Sequence, residues 1–237
     1  IRLERQHKRK LAESIPMILI SDVHSNYIAI KEILEQLDKN EKIVHAGDVV
    51  GYNPFPNETI TLFKQYNVIS IAGNHEKAIL SGNFSNFNED AKIAGLLTKN
   101  MLNSESFAYL RSLKPSITII DNNKKIAVHH GAPFDEDYYM YEESVSESLL
   151  QYDRADVLVL GHTHVPYIRK FGKKIICNPG SVGQPRDGDS RAAYIIINTE
   201  NMNIELRRVK YNIKEVSDKI ESLNFPEFLA KRLFYGI

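Results

Sequence analysis

The chain has one cysteine, Cys177, and no tryptophan in its 237 residues. A single thiol excludes an internal disulfide framework and a cysteine-built zinc site, and it predicts a cytoplasmic protein indifferent to oxidation. Neither sign of charge is in excess, because 30 Lys+Arg balance 30 Asp+Glu. That balance argues against a protein-wide footprint for nucleic acid or membrane, though not against a local patch. No apolar run approaches the roughly 20 residues that span a bilayer. Repeats and low-complexity linkers are missing, and no hydrophobic stripe announces a dimer face. The "GSVG" at 180–183 lacks the Gly-Lys-Ser/Thr ending of a nucleotide-binding phosphate loop, so Gly180 and Gly183 read as turn residues. The first sixteen residues, "IRLERQHKRKLAESIP", are basic, lack the apolar segment of a secretory signal and contain no Met. Residues 1–16 are therefore expected to be an extension, native or added, with His7 solvated in it. A single domain is expected over 17–237.

Hydrophobic residues make up 43% of the chain and charged residues 25%, so a substantial core is available to that domain. "MILISDVHS" reads as a buried strand running into a loop, and "NYIAIKEILEQLDKN" as a helix capped by Asn26. "KIVHAGDVV" is the next strand, a helix is expected within 53–67, and "VISIAGN" (68–74) is the third strand. Strand–helix–strand–helix–strand implies right-handed crossovers and a parallel sheet, with ligands at the carboxyl ends of its strands. After helical segments near 89–113, the second half is rich in β-type runs and closes with a helical stretch over 212–235. Two packed sheets are expected.

The polar residues at the strand ends form a pattern. Asp22 and His24 lie two apart in "SDVHS", a spacing that in extended backbone aims both side chains the same way. Asp48 in "GD" lies 26 residues after Asp22, and Asn74 in "GN" a further 26 on. "HHG" (129–131) and "GHTH" (161–164) follow, so that with His75 directly after "GN" six of the eight histidines fall at these motifs. Two Asp, one Asn and several His without a thiolate suit Mn, Fe, Zn, Co or Ni. Seven donors are too many for one tetrahedral ion, but they suffice for two if one carboxylate bridges. Two ions about 3.5–4 Å apart can clamp a phosphate and hold a hydroxide for in-line attack.

In order and spacing, "SDVHSN", "GDVVGY", "GNHE", "HHG" and "GHTH" resemble the motifs of the calcineurin-like metallophosphoesterases, over about residues 17–188. "NPGSVGQPRD" (178–187) and the C-terminal "FLAKRLFYG" resemble the small prokaryotic phosphodiesterase branch. The resemblance implies a four-layer α/β/β/α sandwich of two mixed sheets with a dinuclear site at one sheet edge. It implies that Asp22, His24 and His164 hold one metal, that Asn74, His130 and His162 hold the other, and that Asp48 bridges them. His75 matches the family's catalytic histidine, and Glu76 stands where many members have Asp to orient that imidazole. The implied cofactor is a pair of divalent transition-metal ions, manganese first, with Fe, Ni, Co or Zn as alternatives.

The implied activity is hydrolysis of a small or nucleotide-like phosphate ester, most simply a diester, by a metal-bridging hydroxide with His75 as general acid. Protein phosphatases of the superfamily carry an Arg soon after the bridging Asp in "GDxVDRG". Here the stretch is "GDVVGYN", which weakens that alternative, and charge neutrality weakens a nuclease. A third alternative is a non-catalytic binding scaffold such as a retromer subunit, which keeps the fold but loses the histidine present here as His75. Arg186 is the candidate phosphate-binding guanidinium, with Tyr52 and Asn53 as candidate substrate contacts. Outside the motifs the plainer readings are preferred. His45 and His129 are structural, Cys177 is a small buried residue, and "DEDYYMYEE" (135–143) is packing with a solvated acidic face more than the frame of a pocket.

Overall fold

The computed structural model describes residues 15–37 and 41–237, so most of the expected extension lies outside the described residues. The strand–helix alternation appears as β1 (Met17–Ile20), α1 (Tyr27–Leu34), β2 (Lys42–His45), α2 (Pro56–Gln65), β3 (Ile69–Ser70) and α3 (Asn74–Ser81). Asn26 caps α1, its side-chain oxygen accepting from the Ala29 amide at 3.1 Å. The third strand is shorter than its apolar run suggests. The Ala72 amide donates to the Lys114 carbonyl at 2.8 Å, and Gly73 already serves as the N-cap of α3. Pairing therefore ends where the helix must begin.

α4 (Glu89–Met101) and α5 (Ser104–Ser112) lead into the second sheet. Its strands are β4 (Ser116–Asp121), β5 (Lys124–His129), β6 (Val157–Val159), β7 (Tyr167–Phe171) and β8 (Lys174–Asn178), with a one-turn α6 (Leu150–Asp153) before β6. The β4–β5 hairpin turns through Asn122 and Asn123, both left-handed at φ 47° and 59°, a turn that Asn tolerates. β9 (Ala192–Asn198) and β10 (Asn203–Val209) return to the first sheet, and α7 (Ile213–Ser222) and α8 (Glu227–Leu233) close the chain.

The strand orders are β10-β9-β1-β2-β3 and β4-β5-β6-β8-β7. β1, β2 and β3 run parallel, as do β5, β6 and β8, while β9, β10, β4 and β7 are antiparallel to their neighbours. Both sheets are thus mixed, as expected. Their facing surfaces meet in one apolar layer, Met17, Leu19, Val44 and Ile195 from the first against Ile126, Val128, Val157 and Cys177 from the second. Burial of each such aliphatic side chain contributes on the order of 1.5–3 kcal/mol. α1, α2 and α5 cover the outer face of the first sheet through Ile30, Ile33, Phe63 and Leu110. The fourth layer is thin, with Met140, Val145, Leu149 and Leu150 covering the second sheet from loops, short 3-10 turns and α6. Among the described residues no helix is long and apolar enough to cross a membrane.

Candidate metal centre

The parallel strands of both sheets deliver polar residues to one place. Asp22 and His24 follow β1, Asp48 follows β2, and Asn74 opens α3 just after β3. His130 follows β5, and His162 and His164 follow β6. The local reason differs from the extended-backbone spacing expected above. Asp22, His24, Asp48, His162 and His164 all have φ between 46° and 69°, in the left-handed region that non-glycine residues seldom occupy. Each costs of order 1–3 kcal/mol, so the surrounding structure must impose it. Hydrogen bonds from the Asp22, His24 and Ser25 amides to the carbonyls of Gly47, Asp48 and Val49 lock the two loops together.

The seven donors lie in two groups. Ligand atoms of Asp22, His24 and His164 lie within 4.8 Å of one another, and so do those of Asp48, His130 and His162. Asn74 joins the second group, its Oδ1 lying 3.0 Å from His130 Nε2. Asp48 faces both, with Oδ2 3.6 Å from His24 Nε2 and 3.2 Å from His130 Nε2. All but the partly exposed Asn74 are buried.

Four backbone carbonyls decide the histidine tautomers. Nδ1–H of His24 donates to Val50 O (3.1 Å), of His130 to Ala46 O (2.8 Å) and of His164 to Gln184 O (2.6 Å). His162 is turned the other way, Nε2–H donating to Asp137 O at 3.1 Å. The free nitrogens then face each other in pairs, His24 Nε2 to His164 Nε2 at 3.1 Å and His130 Nε2 to His162 Nδ1 at 3.1 Å. Lone pairs aimed at each other beside two buried carboxylates require a cation, and outer carbonyls that fix ring orientation are characteristic of metal-binding histidines. Asp22 Oδ1 is buried without a hydrogen-bond donor. The residues therefore fit a pair of divalent ions.

Titration preferences follow from the crowding of charge. Burial, reinforced by Asp48, raises Asp22 to about 7. Burial resists ionisation of Asp48 too, but His130 and the other rings hold it well below the usual range. Burial alone would lower His130; the Asp48 carboxylate prevails and raises it to about 10, so Nε2 beside Asp48 holds a positive charge, a proton or a metal ion, in preference to a bare lone pair.

His75 lies in a third grouping with His24 and Asp48. Its ring packs against His24 and Tyr52, both at 4.6 Å between centroids, and against Phe87 at 4.8 Å, while Nδ1 is buried without a partner. Glu76 does not hold it. The Glu76 carboxylate accepts instead from three backbone amides, Gly73 (2.7 Å) and Asp48 (2.9 Å) at Oε2 and Val50 (3.0 Å) at Oε1. The expected orienting role is thus corrected: Glu76 clamps the Asp48 loop to the start of α3, and aromatic packing holds the imidazole. Asp48 completes the clamp by accepting from the His75 amide at 3.0 Å.

A cavity of about 250 Å³ opens over the donors, lined by His75, Tyr52, Phe87, Tyr139 and Arg186 together with Asp48, Asn74, His162 and His164. Arg186 Nη2 donates to Gln184 Oε1 (3.0 Å) and Tyr52 Oη (3.4 Å), and its buried Nε has no partner. Asn53 does not line this cavity. It is buried, with Nδ2 donating to the carbonyls of His24 (2.9 Å) and Gly183 (3.3 Å), so it braces the loops. His45 is a core residue bonded to Ser70 Oγ at 2.8 Å, and His129 Nε2 pairs with Asp153 at 2.8 Å. Sequence reasoning missed Phe87, one of two rings (with Phe84) in an Asn-rich stretch. It also undervalued Tyr139, whose ring lies 3.9 Å from that of His162.

Residues 16–202 match the model of the calcineurin-like phosphoesterase superfamily domain. A protein of uncharacterised function from Methanocaldococcus jannaschii is 34% identical over 238 aligned positions, 92% of this chain and 97% of that one. The crystal structure of a metallophosphoesterase from Sphaerobacter thermophilus superposes with a TM-score of 0.83 at 30% identity, over 94% of this chain and all of that one. A hypothetical protein from Pyrococcus horikoshii OT3 shares the fold, with a TM-score of 0.86 at 21% identity over 94% of this chain and 99% of that one. The chain belongs to the calcineurin-like phosphoesterase superfamily, and is by that membership a metal-dependent phosphoester hydrolase.

Proposed function

We propose that this protein is a phosphodiesterase acting on small or nucleotide-like esters with two divalent ions, manganese first among them. The observation that carries the reading is the facing of the His24/His164 and His130/His162 lone pairs on either side of Asp48. Asp22, His24 and His164 would hold one ion, Asn74, His130 and His162 the other, with Asp48 between them. Ions bound there supply Lewis acidity, neutralising phosphoryl charge and making water a nucleophile at neutral pH. Asn74 contributes a neutral oxygen, so no further negative charge meets the incoming phosphate.

The chain's other residues complete the site. Arg186 presents a guanidinium steadied by Gln184 and Tyr52 on the cavity wall, suited to a non-bridging phosphoryl oxygen. His75, which lines the cavity beside Tyr52, would protonate the leaving oxygen. Burial lowers its pKa to about 4, and negative charge on a bound ester acts in the opposite direction, favouring the protonated ring. Such general acid help is worth ~10²–10⁴-fold, most for a poor leaving group.

The test is hydrolysis of bis(4-nitrophenyl) phosphate and 4-nitrophenyl phosphate with Mn²⁺, Ni²⁺, Fe²⁺ or Zn²⁺ supplied separately. The reading expects turnover with a higher kcat/KM for the diester. Preference for the monoester makes the protein a phosphomonoesterase, and silence with every metal contradicts an enzyme.

A further inference from the structure

Beside the cavity over the donors lies a larger one of about 410 Å³. The two adjoin, with Asn74, Asn86, Phe87, Tyr139 and His162 lining both. The outer chamber is framed by two segments that supply none of the seven metal donors, though Asp137 O and Tyr139 hold His162 and Phe87 packs on His75. One is the Asn-rich connection between α3 and α4, and the other the tyrosine-rich loop after β5.

The two chambers differ in charge. The inner one has Arg186. In the outer one the single cation is Lys77, already paired with Glu136, and Asp137 adds a carboxylate. A second phosphate entering the outer chamber would meet no free cation and one anion, so the part of a substrate lying there is uncharged.

What the outer chamber offers is amides, hydroxyls and ring faces. Asn83 lines the chamber, its Oδ1 accepting from the Ser85 amide at 3.0 Å, which holds the loop and uses none of the donors on Nδ2. Asn86 lies where both chambers meet. Tyr139 is held against His162 yet remains 48% exposed, a ring fixed in place with surface to give to a ligand. A ring of that kind gives a nucleobase a face to stack on, and side-chain amides read base edges by paired hydrogen bonds.

We propose that the outer chamber is a nucleoside subsite, and that the favoured substrate is a nucleoside monophosphate ester whose base lies against Tyr139 within reach of Asn83 and Asn86. The proposal rests on the phosphodiesterase reading for its phosphate position. It goes further in naming the arm and in excluding nucleoside polyphosphates from that arm.

The experiment compares thymidine 5′-(4-nitrophenyl phosphate) with methyl 4-nitrophenyl phosphate, which share one chromogenic leaving group, on the Mn²⁺-loaded protein. Calorimetric titration with thymidine gives a readout independent of turnover. We expect kcat/KM at least tenfold higher for the nucleoside ester, with the ratio falling below threefold in Asn86→Ala and Tyr139→Ala through KM. Asn83→Ala, which touches only the outer chamber, should lower the ratio with metal content unchanged. A wild-type ratio near one, with both esters cleaved and no heat from thymidine, overturns the subsite while the phosphodiesterase reading stands. A high ratio unmoved by all three variants overturns the location. Thymidine binding that the variants abolish, with neither ester cleaved under any metal, supports the subsite and sinks the phosphodiesterase reading.

Discussion

Replacing Glu76 is the perturbation whose outcome separates two accounts of the "GNHE" motif. The Glu76 carboxylate is fully buried and accepts three backbone amides, two at Oε2 and one at Oε1. Glu76→Ala leaves the amides of Asp48, Val50 and Gly73 without an acceptor, and each buried unsatisfied group costs ~1–3 kcal/mol. Part of that loss is offset, because the desolvation penalty of a buried carboxylate disappears with it. A net loss of about 3–5 kcal/mol is expected for Glu76→Ala, which at ~2–4 °C per kcal/mol lowers Tm by on the order of 10 °C. Glu76→Gln keeps the shape. Its oxygen can remain between Asp48 and Gly73 while its amide nitrogen turns to Val50, so one bond is lost and the cost is ~1–3 kcal/mol. The assay is urea and thermal unfolding of chelator-treated protein, in which metal binding does not enter. Had Glu76 served to orient His75, both variants would lower activity with stability nearly untouched. A change below about 1 kcal/mol for Glu76→Ala, or equal losses for Ala and Gln, refutes the clamp.

Three further outcomes follow from the same geometry. His75→Ala should slow alkyl and nucleotide esters by ~10²-fold or more and nitrophenyl esters much less, as read from paired kcat values; equal losses remove the acid role. A Cβ on Gly73 would stand 2.2 Å from Asp48 Oδ1, so Gly73→Ala should displace the carboxylate shared by both groups and lower metal content at both positions, as plasma mass spectrometry would show. Burial raises the Cys177 thiol from 9.0 to about 12, so it stays protonated in the fold while the unfolded chain ionises. The unfolded state then binds fewer protons, and stability attributable to this group is complete below pH 9 and declines between pH 9 and 12. Urea titrations across that window should show Cys177→Ala reducing the alkaline slope by up to ~1.4 kcal/mol per pH unit, and an unchanged slope contradicts the burial effect.

Much of this was legible in the sequence because it is local. The strand–helix alternation and the polar residues just past each strand brought Asp22, His24, Asp48, Asn74, His130, His162 and His164 to one edge on paper, and the structure brings the same seven together. What the sequence hid is either conformational or long-range. The left-handed backbone at Asp22, His24 and Asp48 is held by hydrogen bonds between loops 24 to 25 residues apart, and that at His162 by its amide's bond to Asp22 Oδ2 140 residues away, not by the residues themselves. Glu76 looked like a partner for its neighbour, yet two of its amides lie 26 and 28 residues away. The shortening of β3 reflects competition with the N-terminus of α3, which an apolar run does not reveal. Phe87 and Tyr139 line one cavity from separate loops, so no spacing rule joins them.

The central claim is that two ions held on either side of Asp48 make this chain a phosphoesterase. Its most direct test is to strip the protein of metal and follow bis(4-nitrophenyl) phosphate hydrolysis while Mn²⁺ is added in measured equivalents. Activity should rise to a break at two ions per chain, and Asp48→Asn should abolish both the rise and the break. A break at one ion, or activity restored in Asp48→Asn, would contradict the account.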